Sequence, residues 1–213
     1  MTENSIYYMK NISIDDIPWD YISGPYERGN RFPEWIEDLF DDDSEVANKA
    51  QSNIGKNIEH QGTLWHVTPF VIAVLGNKLR AIIDKEILLD KDIENIVLIL
   101  QLYAAIYFTA DEIWTMEVET PLPFFSDMLK DSYLIKENND LEEYYATIDN
   151  SLFMSFFHYS WMVIAYDMEQ YFPLLEKLHD NRIKEVLNHF TNKEINLYIK
   201  NIMQDEKMKE MRK

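Results

Sequence analysis

Five histidines, 38 carboxylates and no cysteine set the chemistry open to this chain of 213 residues. The histidines are His60, His66, His158, His179 and His189. No two stand four residues apart, the spacing that puts both imidazoles on one helical face for a metal, and no His-Glu-x-x-His string occurs. His60 and His66 flank Gly62, so a structural role is expected of the pair, with His60 as a helix cap or bonded to a backbone carbonyl at the turn. His158, within Phe156-Phe157-His158-Tyr159, is expected to be a satisfied core or groove residue. Without cysteine there is no thiolate nucleophile, disulfide or thiolate-bound metal. The isolated glycines form no phosphate-cradling loop, and no Gly-x-Ser-x-Gly elbow presents a serine. Asp41-Asp42-Asp43 and Asp90-Lys91-Asp92 lack the spaced oxygens, glycine and closing glutamate of a calcium loop. A di-iron bundle needs Glu-x-x-His on two helices, which the chain does not provide. The expectation is a protein without catalytic residues, metal or cofactor.

The distribution of acid says more than its amount. Formal net charge is −18, with 20 basic side chains. Residues 109–150 carry 11 acids against Lys130 and Lys136, half of that net charge in a fifth of the chain. Aromatic residues are interleaved: Trp114, Phe124, Phe125, Tyr133, Tyr144 and Tyr145. Carboxylates steer a basic partner in, and desolvated aromatic rings supply much of the binding free energy. The residues expected to meet that partner are Asp111, Glu112, Trp114, Glu117, Glu119, Asp127, Asp131, Tyr133, Glu142, Glu143 and Tyr144. The same charge repels nucleic acid phosphates and anionic lipid, so neither is an expected partner.

These side chains need a scaffold. A hydrophobic fraction of 46% fills a sizeable core, and only 5 glycines and 7 prolines disfavour a fold rich in tight hairpins. The apolar stretches Ile96 to Ala110 and Leu152 to Tyr166 are too short to span a bilayer, and no secretory signal opens the chain. A cytoplasmic protein with a single helical domain over residues 1–213 is expected. Residues 1–30 read as an irregular arm anchored by Ile12, Ile14, Ile17, Trp19 and Tyr21, and residues 31–213 as the helical body. Pro33 suits a first helical turn, and Asp43 or Ser44 caps a second helix ending at Gly62. A third is expected from about Thr63 to Leu75, closed by Gly76-Asn77. Central helices follow over Asp90 to Phe108 and Leu152 to Tyr166, and a helical period continues through Ile183, Val186, Leu187, Phe190, Ile195, Tyr198, Ile199 and Ile202.

Three proline-led segments align, beginning at Pro69, Pro123 and Pro173, with spacings of 54 and 50 residues. They suggest stacked helix pairs, although helical-pair repeats usually run to about 40–47 residues. The run Trp35-Ile36-Glu37-Asp38-Leu39, then Asn57-Ile58-Glu59-His60-Gln61-Gly62-Thr63-Leu64-Trp65, then Thr68-Pro69-Phe70-Val71-Ile72-Ala73-Val74-Leu75 resembles the N-terminal part of bacterial HEAT-repeat-like proteins. In those a helix ends in a phrase like I-x-H-Q-G-T, and the next contains V-P-F-L-I-x-L-L. The likeness spans residues 31–79, and Thr68 stands where the family often has a small apolar residue.

The resemblance implies an all-α, HEAT-like α-solenoid of stacked antiparallel helix pairs. Small acidic relatives include immunity proteins of secreted bacterial toxins, among them those of contact-dependent growth inhibition. The implied function is therefore an immunity protein that neutralises a cognate toxin, such as a nuclease, through its acidic and aromatic surface. The alternative is an α-solenoid adaptor for another protein. A helical base-modifying or hydrolytic enzyme fits worse, because HEAT-like glycosylases engage DNA through basic surfaces.

Overall fold

A computed structural model describes residues 3–112, 120–136 and 141–190. The architecture is almost wholly helical. In chain order come α1 (Glu3–Asn11), α2 (Phe32–Asp38), α3 (Ser44–Ile58), a hairpin of β1 (Glu59–His60) and β2 (Thr63–Leu64), α4 (Thr68–Ile83), α5 (Asp90–Glu112), α6 (Leu141–Ala146), α7 (Asn150–Glu176) and α8 (Asn181–Leu187). No helix among the described residues is long and apolar enough to cross a membrane.

The N-terminal region is more ordered than its scatter of prolines and glycines predicts. It begins with helix α1 and continues through 3-10 turns at Ile14–Asp16, Trp19–Tyr21 and Gly29–Arg31. Met9, Ile12, Ile17, Trp19 and Ile22 are buried in the main core. Beyond it, α3 starts as its sequence indicates, with Asp43 Oδ1 accepting the Glu45 N–H at 2.8 Å.

Gly62 does not end α3. The helix stops at Ile58, and Glu59↔Leu64 and His60↔Thr63 pair across a two-residue turn. Gln61 and Gly62 have φ of 51° and 74°, the positive values that a type I′ hairpin turn demands. Thr68 fastens this hairpin to the start of α4. Its buried hydroxyl donates to the Ile58 carbonyl at 2.5 Å and accepts the Trp65 N–H at 2.9 Å, which an apolar side chain cannot do. Helix α4 therefore begins at Thr68, with Pro69 in its first turn where a missing N–H costs nothing.

Gly76 lies inside α4 and does not close it. A Cβ there would sit 2.6 Å from Asp167 Oδ2 and 2.8 Å from Tyr103 Oη. The glycine makes room for a buried polar cluster at the meeting of α4, α5 and α7. In it the Arg80 guanidinium bonds Asp167 and the Asn77 side-chain oxygen, and Tyr103 donates to Asp167 at 2.7 Å. Burial pushes the Asp167 carboxyl up, opposed by the charge of Arg80 and the hydrogen bond from Tyr103. The rest of the core is apolar, with Phe70, Phe125, Phe156 and Trp161 fully enclosed.

The three proline-led segments adopt three conformations. Pro69 opens α4, Pro123 precedes a 3-10 turn at Phe125–Leu129, and Pro173 lies inside the last turns of α7. They do not mark a structural repeat. The C-terminal periodicity is realised as α8 and a 3-10 turn through Phe190; Ile195, Tyr198, Ile199 and Ile202 lie outside the described residues.

Two substitutions test the buried cluster. Gly76→Ala should cost about 2 kcal/mol by overpacking, a drop of roughly 1 M in urea midpoint. Asp167→Leu leaves Arg80 buried without its counter-charge and should cost about 3–5 kcal/mol, read from the same titration.

Candidate partner-binding surface

The acidic segment is divided by the structure. Asp111 and Glu112 fall in the last turn of α5. Trp114, Glu117 and Glu119 lie outside the described residues. Asp127 is not a surface acid: it is 8% exposed in the 3-10 turn, with Oδ1 3.0 Å from Lys130 Nζ. Its place is set by that turn, and its charge is met within the chain. Asp131, Glu142 and Glu143 are exposed, and Tyr133 and Tyr144 are half-buried. The Tyr144 hydroxyl donates to the Tyr133 carbonyl at 2.6 Å, which ties α6, with Glu142 and Glu143, to the segment that carries Asp131 and Tyr133.

The surface they form is completed from elsewhere in the chain. Arg28 donates to the carbonyls of Asp20 (2.8 Å), Ile135 (3.2 Å) and Lys136 (2.7 Å), and the Ile135 N–H donates to the Tyr21 carbonyl at 2.8 Å. The loop at residues 20–28 is thereby stitched to the acidic segment. Tyr145 adds a second seam through a 2.8 Å hydroxyl–hydroxyl bond with Ser23. Its ring meets Trp65 edge-on at 4.8 Å and Tyr144 at 5.1 Å. Burial pushes the Tyr145 hydroxyl up to about 12, so it stays protonated and available as a donor. Burial and the neighbouring Tyr145 raise Tyr144 as well.

At the hairpin end, Tyr26 and His60 are hydrogen-bonded (Oη to Nδ1, 2.9 Å) with ring centroids 5.0 Å apart. Tyr26, His60, Trp65 and Tyr145 are the members of this surface that the acidic count overlooks. An adjacent aromatic pair at 144 and 145 was the available signal for one of them. Nothing local in the sequence ties residue 26 to residue 60.

His60 and His66 serve different ends of the hairpin. His66 is fully enclosed, stacked on Phe156 at 5.0 Å, and its Nε2 donates to the Met128 carbonyl at 2.9 Å. Its role is structural: it bonds a backbone carbonyl, the part expected of His60, and so holds the 3-10 turn at Phe125–Leu129, whereas His60 meets the Tyr26 hydroxyl. His158 on α7 is half-buried, with its ring against Tyr159 at 4.9 Å. Among the described residues no group of three or more His, Asp or Glu is placed to hold a metal ion. A separate open groove of about 440 Å³ lies between α5 and α8, lined by Val97, Gln101, Ala104, Arg182, Val186 and His189. Among the described residues, none of those expected to bind a partner lines it. No protein-family model, curated protein or solved structure matches this chain.

Burial lowers the His66 imidazole to about 4, partly offset by its bond to Met128. An unfolded histidine titrates near 6.5, so between these values the unfolded chain binds the extra proton and acid favours unfolding. The stability held by neutral His66 should be complete above about pH 6.5 and fall as pH drops toward 4, by about 3 kcal/mol in all. Urea midpoints measured from pH 7.5 to 4.5 should therefore decline, and His66→Gln should flatten that decline while lowering the midpoint at neutral pH.

Proposed function

We propose that this protein is an immunity protein that binds and neutralises a cognate bacterial toxin in the cytoplasm of the cell that makes it. One observation carries the reading: exposed Asp131, Glu142 and Glu143 surround half-buried tyrosines on a surface stitched together by Arg28, Tyr144 and Tyr145. Exposed carboxylates around aromatic rings suit a basic protein surface, with charge speeding encounter and the rings holding the complex. The resemblance of residues 31–79 to HEAT-repeat-like proteins adds the immunity class. A toxin with a cationic cleft, such as a nuclease, is the fitting target, because a carboxylate surface competes there with phosphate.

The finer architectural reading is a HEAT-like stack. The consecutive packed pairs α2–α3 and α4–α5 support it, whereas the broad contact of α4 with α7 exceeds nearest-neighbour stacking. A binding role without catalysis accords with either arrangement.

Growth rescue is the direct test. A secreted-toxin domain is sought beside this gene and expressed with and without this protein; rescue supports the reading, and the lack of any such domain, or full toxicity despite co-expression, overturns it. Asp131→Lys, Glu142→Lys and Glu143→Lys together should slow association about tenfold at 0.05 M salt, with the difference vanishing near 0.5 M. Asp127 is left out of that set because it is buried in the 3-10 turn.

A further inference from the structure

Tyr26 is 61% exposed, yet its ring is held in place. Its hydroxyl is bonded to His60, and the loop beneath it is closed by the Ser23↔Arg28 bridge and by the Gly24 N–H donating to the Glu27 carbonyl at 3.0 Å. That loop rests on the end of α3 so closely that a Cβ at Gly24 would lie 2.6 Å from the Asn57 carbonyl oxygen. Fixing a large side chain in water costs rotamer freedom and returns little burial. What it provides is a preorganised π face.

The charges carried by the segments joined at this surface favour a cationic ligand. Asp20, Glu27, Glu59, Asp131, Glu142 and Glu143 belong to the segments that build it. Of the basic residues there, Arg28 is directed to three backbone carbonyls and Lys130 is paired with Asp127, leaving Lys56 and Lys136 as the other exposed ones. Carboxylates favour a cation, and a flat aromatic ring favours a flat one. A guanidinium stacks on tyrosine while its N–H groups still reach carboxylates, whereas an ammonium keeps its water more firmly.

We infer that the Tyr26–His60 pair is an arginine-reading site, at which the guanidinium of a basic partner stacks on the Tyr26 ring within a surround of carboxylates. This rests on the protein-binding reading above and adds the partner chemistry and the position of its anchor. It also assigns the hairpin, β1 and β2, as the support of a recognition residue.

The test uses the full chain with two synthetic peptides of equal charge, one of alternating arginine and glycine and one of alternating lysine and glycine. Calorimetry gives the affinities, and the ring signals of Tyr26 and His60 report the place of contact. The arginine peptide should bind about fivefold tighter and shift both signals. Tyr26→Leu should erase the preference while leaving the weaker binding due to charge. Tyr26→Phe keeps the ring without the bond to His60 and should retain part of the preference, so a loss of fold in one variant leaves the other decisive. Equal affinities, no binding of either peptide, or a preference unchanged by Tyr26→Leu would overturn the inference. Growth rescue with no arginine preference removes this site and leaves the immunity reading; arginine preference without rescue does the reverse.

Discussion

The buried contact between Arg80 and Asp167 organises this molecule. It joins α4 to α7, and its hydrogen-bonding neighbours extend it in two directions. Tyr103 brings in α5. Asn77 accepts from Arg80 and donates to the Met9 and Ile12 carbonyls at 3.2 and 2.9 Å, satisfying the end of α1. One connected set of polar atoms thus fixes four helices that apolar packing alone would let slide, since Leu, Ile and Val contacts are tolerant of small shifts. The cluster also dictates a glycine at 76, because any side chain would occupy the space its oxygens need.

The candidate surface is built by the opposite strategy. Its seams are bonds from side chains to backbone carbonyls: Arg28 to residues 20, 135 and 136, Tyr144 to residue 133, and His66 to residue 128. Such bonds hold irregular segments where no helix or sheet ladder is available. They leave the exposed carboxylates and the Tyr26 ring directed outward. The surface is accordingly a product of the connections between helices, while the helices supply only its foundation.

How much of this was legible follows from the range of each interaction. Helix α3 could be read from its capping Asp43 and from Ala47, Ala50, Ile54 and Ile58, all of which are buried, because cap and periodicity are local. The limits of α4 could not. Gly76 looks like a helix stop until α7 is placed against it, and Thr68 looks ill-suited to an apolar run until the hairpin backbone supplies its partners. The hairpin escaped because its strands are two residues long, too short for alternation to register. Within the surface, Tyr133, Tyr144, Glu142 and Glu143 were visible through the density of acid. Asp127 was misjudged because its burial depends on the 3-10 turn. Tyr26 and His60 are 34 residues apart and meet only when the loop at 20–28 closes on the end of α3.

Helix α4 carries both designs on one rod. Thr68 at its first turn fastens the hairpin under the surface, and Arg80, about 18 Å further along, belongs to the central cluster. The hairpin and the central cluster are therefore joined through a single helix. A partner that binds only the folded surface adds its binding free energy to the folding equilibrium of the whole chain. The free protein in a cell without its partner and the engaged protein would then differ in lifetime as well as in contacts, with proteolysis falling mainly on the unengaged pool.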